Sequence, residues 1–342
     1  MAQAAAAAGD ALKQKARASL YRIVGITVGL LVLLVAVNIA THGDFLAPGN
    51  VLNILRQIAV NAILATGQTF VIITAGIDLS VGSLVALTGV LMAGTLAGIH
   101  TPWLALLVAI VVGIGVGGWA GAINGTPVVK LGLPPFITTL AMMLMARGVA
   151  FMYTNGAPIE IDNNGFNDLG SGLFLQSLGR LVHIPGIPVP IVIMLAVVIA
   201  ASFVLGQTRF GRYVYAIGGN EEAARLSGIA VGRVKLGVYI ISGALAGLAS
   251  LLLAARLNSG IPQSGLGYEL QSIAAVVVGG TSLMGGRGSI GGTFVGALLI
   301  GVLYNVMNLL NVQSYAQEVV LGAVILVAVL LDELRKRYLA AR

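Results

Sequence analysis

The chain has 342 residues, 58% of them hydrophobic and 9% charged, with a mean hydropathy of +0.98 and a formal net charge of +7. Soluble domains carry about 25% charged residues, so a soluble protein of this size is excluded and the class is an all-α polytopic membrane protein. The apolar runs are continuous, unlike the alternating strands of an outer-membrane barrel. The absence of cysteine rules out disulfides and thiolate metal sites.

The excess positive charge does not point to nucleic acid. Basic residues sit in short turns and tails between apolar runs, which is the pattern of orientation signals. His42, His100 and His183 are far apart, so no His-rich metal site is expected. Residues 1–20, with Lys13, Lys15 and Arg17, read as a cytoplasmic tail before a retained first span at about Tyr21–Ala40. The transmembrane region is expected over 21–333, with a second cytoplasmic tail at 334–342.

The second span, about Val51–Thr74, holds Arg56, Gln57, Asn61, Gln68 and Thr69, which is unusually polar for a lipid-facing helix. Gly76 and Asp78 follow in a GIDLS turn that is a candidate intramembrane break, and Ser80 and Ser83 are candidate caps for the third span, about Val81–Gly98. The fourth span, about Trp103–Ile123, begins a run of glycines at 113, 117, 121 and 125. That spacing puts them on one face, for close helix packing. The fifth, about Phe136–Tyr153, contains Arg147. Residues 155–188 form a large outer loop, with Glu160, Asp162 and Asp168 against Arg180. Further spans are expected at about Val189–Leu205, Leu236–Ala255, Leu270–Met284, Gly291–Asn308 and Ala316–Leu331, making ten with both termini inside. An internal duplication is suggested by Gln57-Ile58-Ala59 before Ser80-Val81-Gly82-Ser83, and Ser272-Ile273-Ala274 before Ser289-Ile290-Gly291-Gly292. Chance likeness between Gly-rich apolar segments accounts for it equally well.

Between the sixth and seventh spans lies a basic polar segment at 207–235, QTRFGRYVYAIGGNEEAARLSGIAVGRVK. Asn220 suits a helix N-cap, Glu221, Glu222, Ala223, Ala224 and Arg225 favour helix, and Gly228 suits a stop. On charge alone, an ordinary solvated loop explains it as well.

No phosphate-binding G-x-x-x-x-G-K-[ST] loop, H-E-x-x-H or G-x-S-x-G occurs. The acids closest to the spans are Asp78, Glu269 and Glu318, all near predicted ends. An ion-coupled carrier usually keeps acids within its spans, so energy is expected from another subunit. Candidate groups along a solute path are Asn61, Gln68, Thr69, Asp78, Ser83, Asn124, Thr138, Thr139, Asn305 and Asn308. Apart from Asp78 they are neutral amides and hydroxyls, which suit an uncharged polyol better than an ion. Interhelical bonding explains each of them singly.

Three stretches together resemble a known family. ITAGIDLSVGSLVALTGVLMAG looks like the signature of ribose-type monosaccharide permease subunits of ATP-binding-cassette importers, in the branched-chain amino acid/ribose permease superfamily. GGNEEAARLSGI is similar to the coupling pattern E-A-A-x-x-x-G, matched at Glu222, Ala223, Ala224 and Gly228. VVVGGTSLMGGRGSIGGTFVGALLIGVLYNVMNLL resembles the family's C-terminal glycine-rich stretch.

The resemblance covers about residues 20–335. It implies a homodimer of ten-span subunits in a bacterial or archaeal cytoplasmic (inner) membrane. Partner ATP-binding-cassette ATPase subunits would use ATP and Mg, and an extracytoplasmic sugar-binding protein would deliver cargo. No cofactor is implied for this chain. The helix Glu221–Ser227 would enter a groove of the ATPase, with Glu222 and Arg225 making docking contacts, Ala223 and Ala224 permitting close approach, and Gly228 turning the chain. An ion- or proton-coupled carrier, or a related permease for a nucleoside, amino acid or furanone-type signal, is the alternative.

Overall fold

The computed structural model describes residues 35, 37–174 and 186–340, the last ten in backbone only. The expected first span and N-terminal tail, and loop residues such as Arg180 and His183, lie largely or wholly outside the described residues. Among the described residues, six helices are long and apolar enough to cross a membrane. They are α1 (Pro48–Ile73), α3 (Pro102–Lys130), α4 (Pro135–Thr154), α6 (Val189–Gln207), α9 (Val231–Leu257) and α11 (Ile290–Leu309). Between them lie α2 (Val81–Leu96), α5 (Asn164–Ser171), α7 (Arg209–Gly219), α8 (Glu221–Leu226) and α10 (Tyr268–Val278), and α12 (Ser314–Ala340) closes the chain. Proline in the first turn of α1, α3, α4 and α6 starts these helices where its missing N–H costs no hydrogen bond.

The α1 helix is central: 89% of its most apolar window is buried, against 22% for α4. This explains its polar composition, because its amides and hydroxyls face protein. The α3 helix runs seven residues past its expected end at Ile123, to Lys130. Its glycine stripe packs antiparallel on α9. A Cβ on Gly117 would strike the Gly243 carbonyl, one on Gly121 the Tyr239 carbonyl, and one on Gly113 would sit 3.1 Å from the Gly247 oxygen. Backbone against backbone is possible only without side chains between them.

Two breaks shape the interior. The first, after α1, passes through Ala75 at φ 59° and Gly76 to reach α2. The second, after α9, turns at Asn258, φ 51°, and returns through residues 261–267 to α10. At 1.5 Å per residue, α2 (16 residues) and α10 (11 residues) span about 24 and 16 Å, short of a hydrocarbon core of about 30 Å. The eighth expected span, to Met284, therefore ends at Val278. The N-termini of these two short helices meet in the interior, with Gly82 against the Gly265 carbonyl and the Glu269 carboxylate. The repeat seen in the fold is thus long helix, break, short helix in both halves: α1 to α2, and α9 to α10. The sequence pairing set Gln57–Ala59 against Ser272–Ala274, but these lie in the long α1 and the short α10.

One end of the bundle is basic. It carries α7, α8 and Arg287, and is tied to α1 where Gly286 N–H donates to Ile73 O at 2.9 Å. The far end carries two small antiparallel sheets, β1 (Ile159–Glu160) with β4 (Ser259–Gly260) and β2 (Leu173–Phe174) with β3 (Ile187–Pro188). There α5 is N-capped by Asn163, whose side chain accepts from Phe166 N.

Candidate functional site

A cleft of about 160 Å³ opens between α1, α10, α11 and α12. Its polar lining is Gln57, Asn61, Tyr268, Gln271, Tyr304, Asn308 and Gln317, and no charged residue among those described lines it. The residues at 268 and 271, and at 304 and 308, are one helical turn apart, so each pair shares a face. Gln317 holds the rim by donating to Asn308 Oδ1 and to Val312 O, both at 2.9 Å. Two polar atoms here are buried and make no hydrogen bond of good geometry, Asn61 Oδ1 and the Tyr304 hydroxyl, the latter beside the Gln271 side chain. Buried polar atoms are rarely left unpaired. A small ligand offering hydroxyls, or water, satisfies both. With about 30 Å³ per water, the space holds about five waters, the scale of a small polyol.

The structure brings Asn61 and Asn308 of the sequence candidates into this cleft. Asn305 points elsewhere and exchanges amide hydrogen bonds with Asn50 at 2.8 and 3.0 Å. Sequence reading noted Gln57 only as a polar residue, and missed Gln271, Gln317, Tyr268 and Tyr304 as lining. The one-turn spacing within α10 and α11 was the available signal.

Most remaining candidates form a knot around the first break. Asp78 is fully buried. Its Oδ1 accepts from Ser80 N (3.0 Å) and Ser80 Oγ (2.6 Å), and its Oδ2 from Ser242 Oγ (2.9 Å) on α9. Neither Ser80 nor Ser83 caps α2 through its side chain: Ser80, at the N-cap position, turns its Oγ to Asp78, and Ser83 Oγ donates back to Ser80 O at 2.7 Å. Gln68 donates its amide to Asp78 O, Asn124 donates to Ser80 Oγ at 2.8 Å, and Thr139 to Ile77 O at 3.1 Å. Thr69 and Thr293 bond at 2.7 Å, joining α1 to α11. Thr138 donates to Pro135 O within its own helix. These groups hold the irregular backbone of the break, which in lipid must find its partners inside the protein.

At the basic end, Asn220 caps α8 by accepting from Ala223 N at 2.9 Å. Glu221 bridges to Lys235 at 2.5 Å, fixing α8 to α9, while Arg225 reaches Glu221 (3.3 Å) and Glu222 (3.8 Å). Ala224 is buried against the chain's own core beside Val231 and Ile229. Ala223, Glu222, Arg225 and Leu226 face outward, Leu226 at 82% exposure. Gly228 turns the chain at φ 82°. The result is a short rigid knob with one apolar and several charged groups at its tip.

Short helices re-entering a bundle, an uncharged polar cleft and an anchored knob at one end define a membrane permease without energy machinery among its described residues. The comparison with known proteins identifies the kind: the chain belongs to the family described as branched-chain amino acid transport system / permease component, which matches residues 50–329. It is 48% identical over 302 residues to the ribose import permease protein RbsC of Escherichia coli K12, covering 88% of this chain and 91% of that protein. It is 48% identical over 306 residues to the protein of the same name in Bacillus subtilis 168, covering 89% and 90%. The xylose transport system permease protein XylH of Escherichia coli K12 is 36% identical over 351 residues, covering 87% and 88%. No solved structure matches the chain. The chain is thus a multi-pass transport component of the bacterial inner membrane and not an enzyme.

Proposed function

We propose that this chain forms the translocation path for a neutral monosaccharide, a ribose-like pentose or a hexose, in an ATP-binding-cassette importer. The observation that carries the reading is the uncharged cleft, where Asn61 Oδ1 and the Tyr304 hydroxyl make no hydrogen bond of good geometry. Sugars present several hydroxyls, each donor and acceptor, and neutral amides and phenols match them without fixing a charge. An amino acid would leave its carboxylate and ammonium without counter-charges in this lining. Arg147 is not among the lining residues, and its guanidinium is turned to the backbone carbonyls of Pro262 and Ser264. The names of the relatives, for ribose and xylose, support the same cargo class.

The α8 knob is the docking point for a partner ATPase, which uses ATP and Mg, and the basic end faces the cytoplasm by the positive-inside rule. A sugar-binding protein delivers cargo at the far end, and a second copy of the chain completes the path. The test is uptake of labelled ribose, xylose and glucose by cells carrying this chain with its ATPase and binding protein. Asn61→Leu and Tyr304→Phe should each raise the KM for the transported sugar about tenfold, the scale of one lost buried hydrogen bond. Unchanged KM in both variants refutes the cleft as the sugar site.

A further inference from the structure

Arg147 sits half-buried in the middle of α4, yet its contacts are with the second break. Its Nη1 donates to Pro262 O at 2.8 Å and to Ser264 O at 2.7 Å. Glu269 is the acidic neighbour whose charge acts on it, and that carboxylate lies over Gly82 at the start of α2. The segment so held passes directly into the cleft. Gly265 O accepts from Tyr268 N (3.2 Å), Gly267 O accepts from Gln271 N (3.0 Å), and Tyr268 and Gln271 are cleft lining. Within the segment Ser264 N donates to Ile261 O at 3.0 Å, Gln263 reaches Gly156 O at 3.3 Å, and Gly265 packs on Gly82; among the described residues, Arg147 is the one side chain that takes the Pro262 and Ser264 carbonyls. Gly265 and Gly267 have positive φ, and Leu266 between them is 63% exposed.

We propose that Arg147 is a positioning residue: by clamping the carbonyls of Pro262 and Ser264 it fixes residues 261–267, and through them sets Tyr268 and Gln271 at the height where sugar binds. The clamp also makes the cleft answer to movement of α4, a helix whose other face is open to lipid or a partner, with Met145, Val149 and Met152 exposed. A guanidinium serves because one nitrogen meets two carbonyls while the charge stays shared over the group. This inference rests on the cleft being the sugar site.

The chain contains no cysteine, so a single one labels cleanly. A nitroxide on Leu266→Cys, in protein reconstituted into lipid nanodiscs without sugar, reports segment mobility. Uptake kinetics in cells report its consequence. Arg147→Gln should mobilise the label and raise KM about tenfold, with maximal uptake within about twofold. Arg147→Lys, which keeps charge and donors, should restore most of both. A residue serving only overall stability would lower protein level and maximal uptake and leave KM alone. An immobile label in Arg147→Gln overturns the clamp, and a mobile label with unchanged KM overturns its positioning role. Should the Gln variant fail to reach the membrane, Arg147→Lys should still show a smaller shift of both readouts, and none overturns the proposal. The label is read without sugar, so failure of the clamp is distinguishable from failure of the cleft, which shows in Asn61→Leu.

Discussion

Adding one methyl group at Gly117 tests the seam that holds the two halves of the bundle together. A Cβ there meets the backbone oxygen of Gly243, and the reciprocal Cβ at Gly243 meets that of Gly117. Neither neighbour is a flexible side chain, so the helices must separate. Overpacking of this kind costs about 1–3 kcal/mol. Gly115 is two residues away on the same helix, and a Cβ there meets nothing within 4 Å. Gly115→Ala therefore gains up to about 1 kcal/mol of helix propensity. The two alanine variants should differ by about 1–4 kcal/mol, with Gly117→Ala below the parent and Gly115→Ala at or above it. Reversible unfolding of purified protein in mixed micelles of rising dodecyl sulfate fraction measures the difference. Equal midpoints for the two variants would refute the close seam and the assignment of the glycine stripe to helix contact.

Other substitutions probe the break and the knob. Asp78→Ala leaves Ser80 N–H and the Ser80 and Ser242 hydroxyls without their acceptor. It should lower stability by about 2–4 kcal/mol in the same titration, with Asp78→Asn losing less. If Ala and Asn behave alike, the carboxylate is not the organiser of the break. Gly228→Asp places a side chain at φ 82°, and should abolish most sugar uptake while leaving the protein in the membrane by immunoblot. Normal uptake would remove Gly228 from coupling. Asn220→Ala removes the α8 cap, worth about 1 kcal/mol. It should weaken co-purification of the ATPase without changing the unfolding midpoint of the bundle, and full retention of the ATPase argues against the knob as its docking point.

The sequence alone determined the membrane class, because a 9% charge content cannot clothe a soluble surface of this size. It also determined the glycine seam and the capped helix at Asn220, since four-residue spacing and N-cap chemistry are local and survive any packing. The break at GIDLS was legible because Gly76 and Asp78 interrupt an apolar run. Which polar groups face the cleft was decided only in three dimensions. Asn305 and Asn308 are three residues apart on α11, yet one pairs with Asn50 and the other reaches the cleft rim. A sequence of neutral amides records that partners exist but not which helix supplies them. The sequence showed Arg147 only as a charge inside the fifth span. Folding brought residues 261–267 back beside it, and two backbone carbonyls more than a hundred positions away became its partners. That the short eighth span ends at Val278 rather than Met284 was likewise hidden, because hydropathy measures how oily a segment is and not where its helix stops.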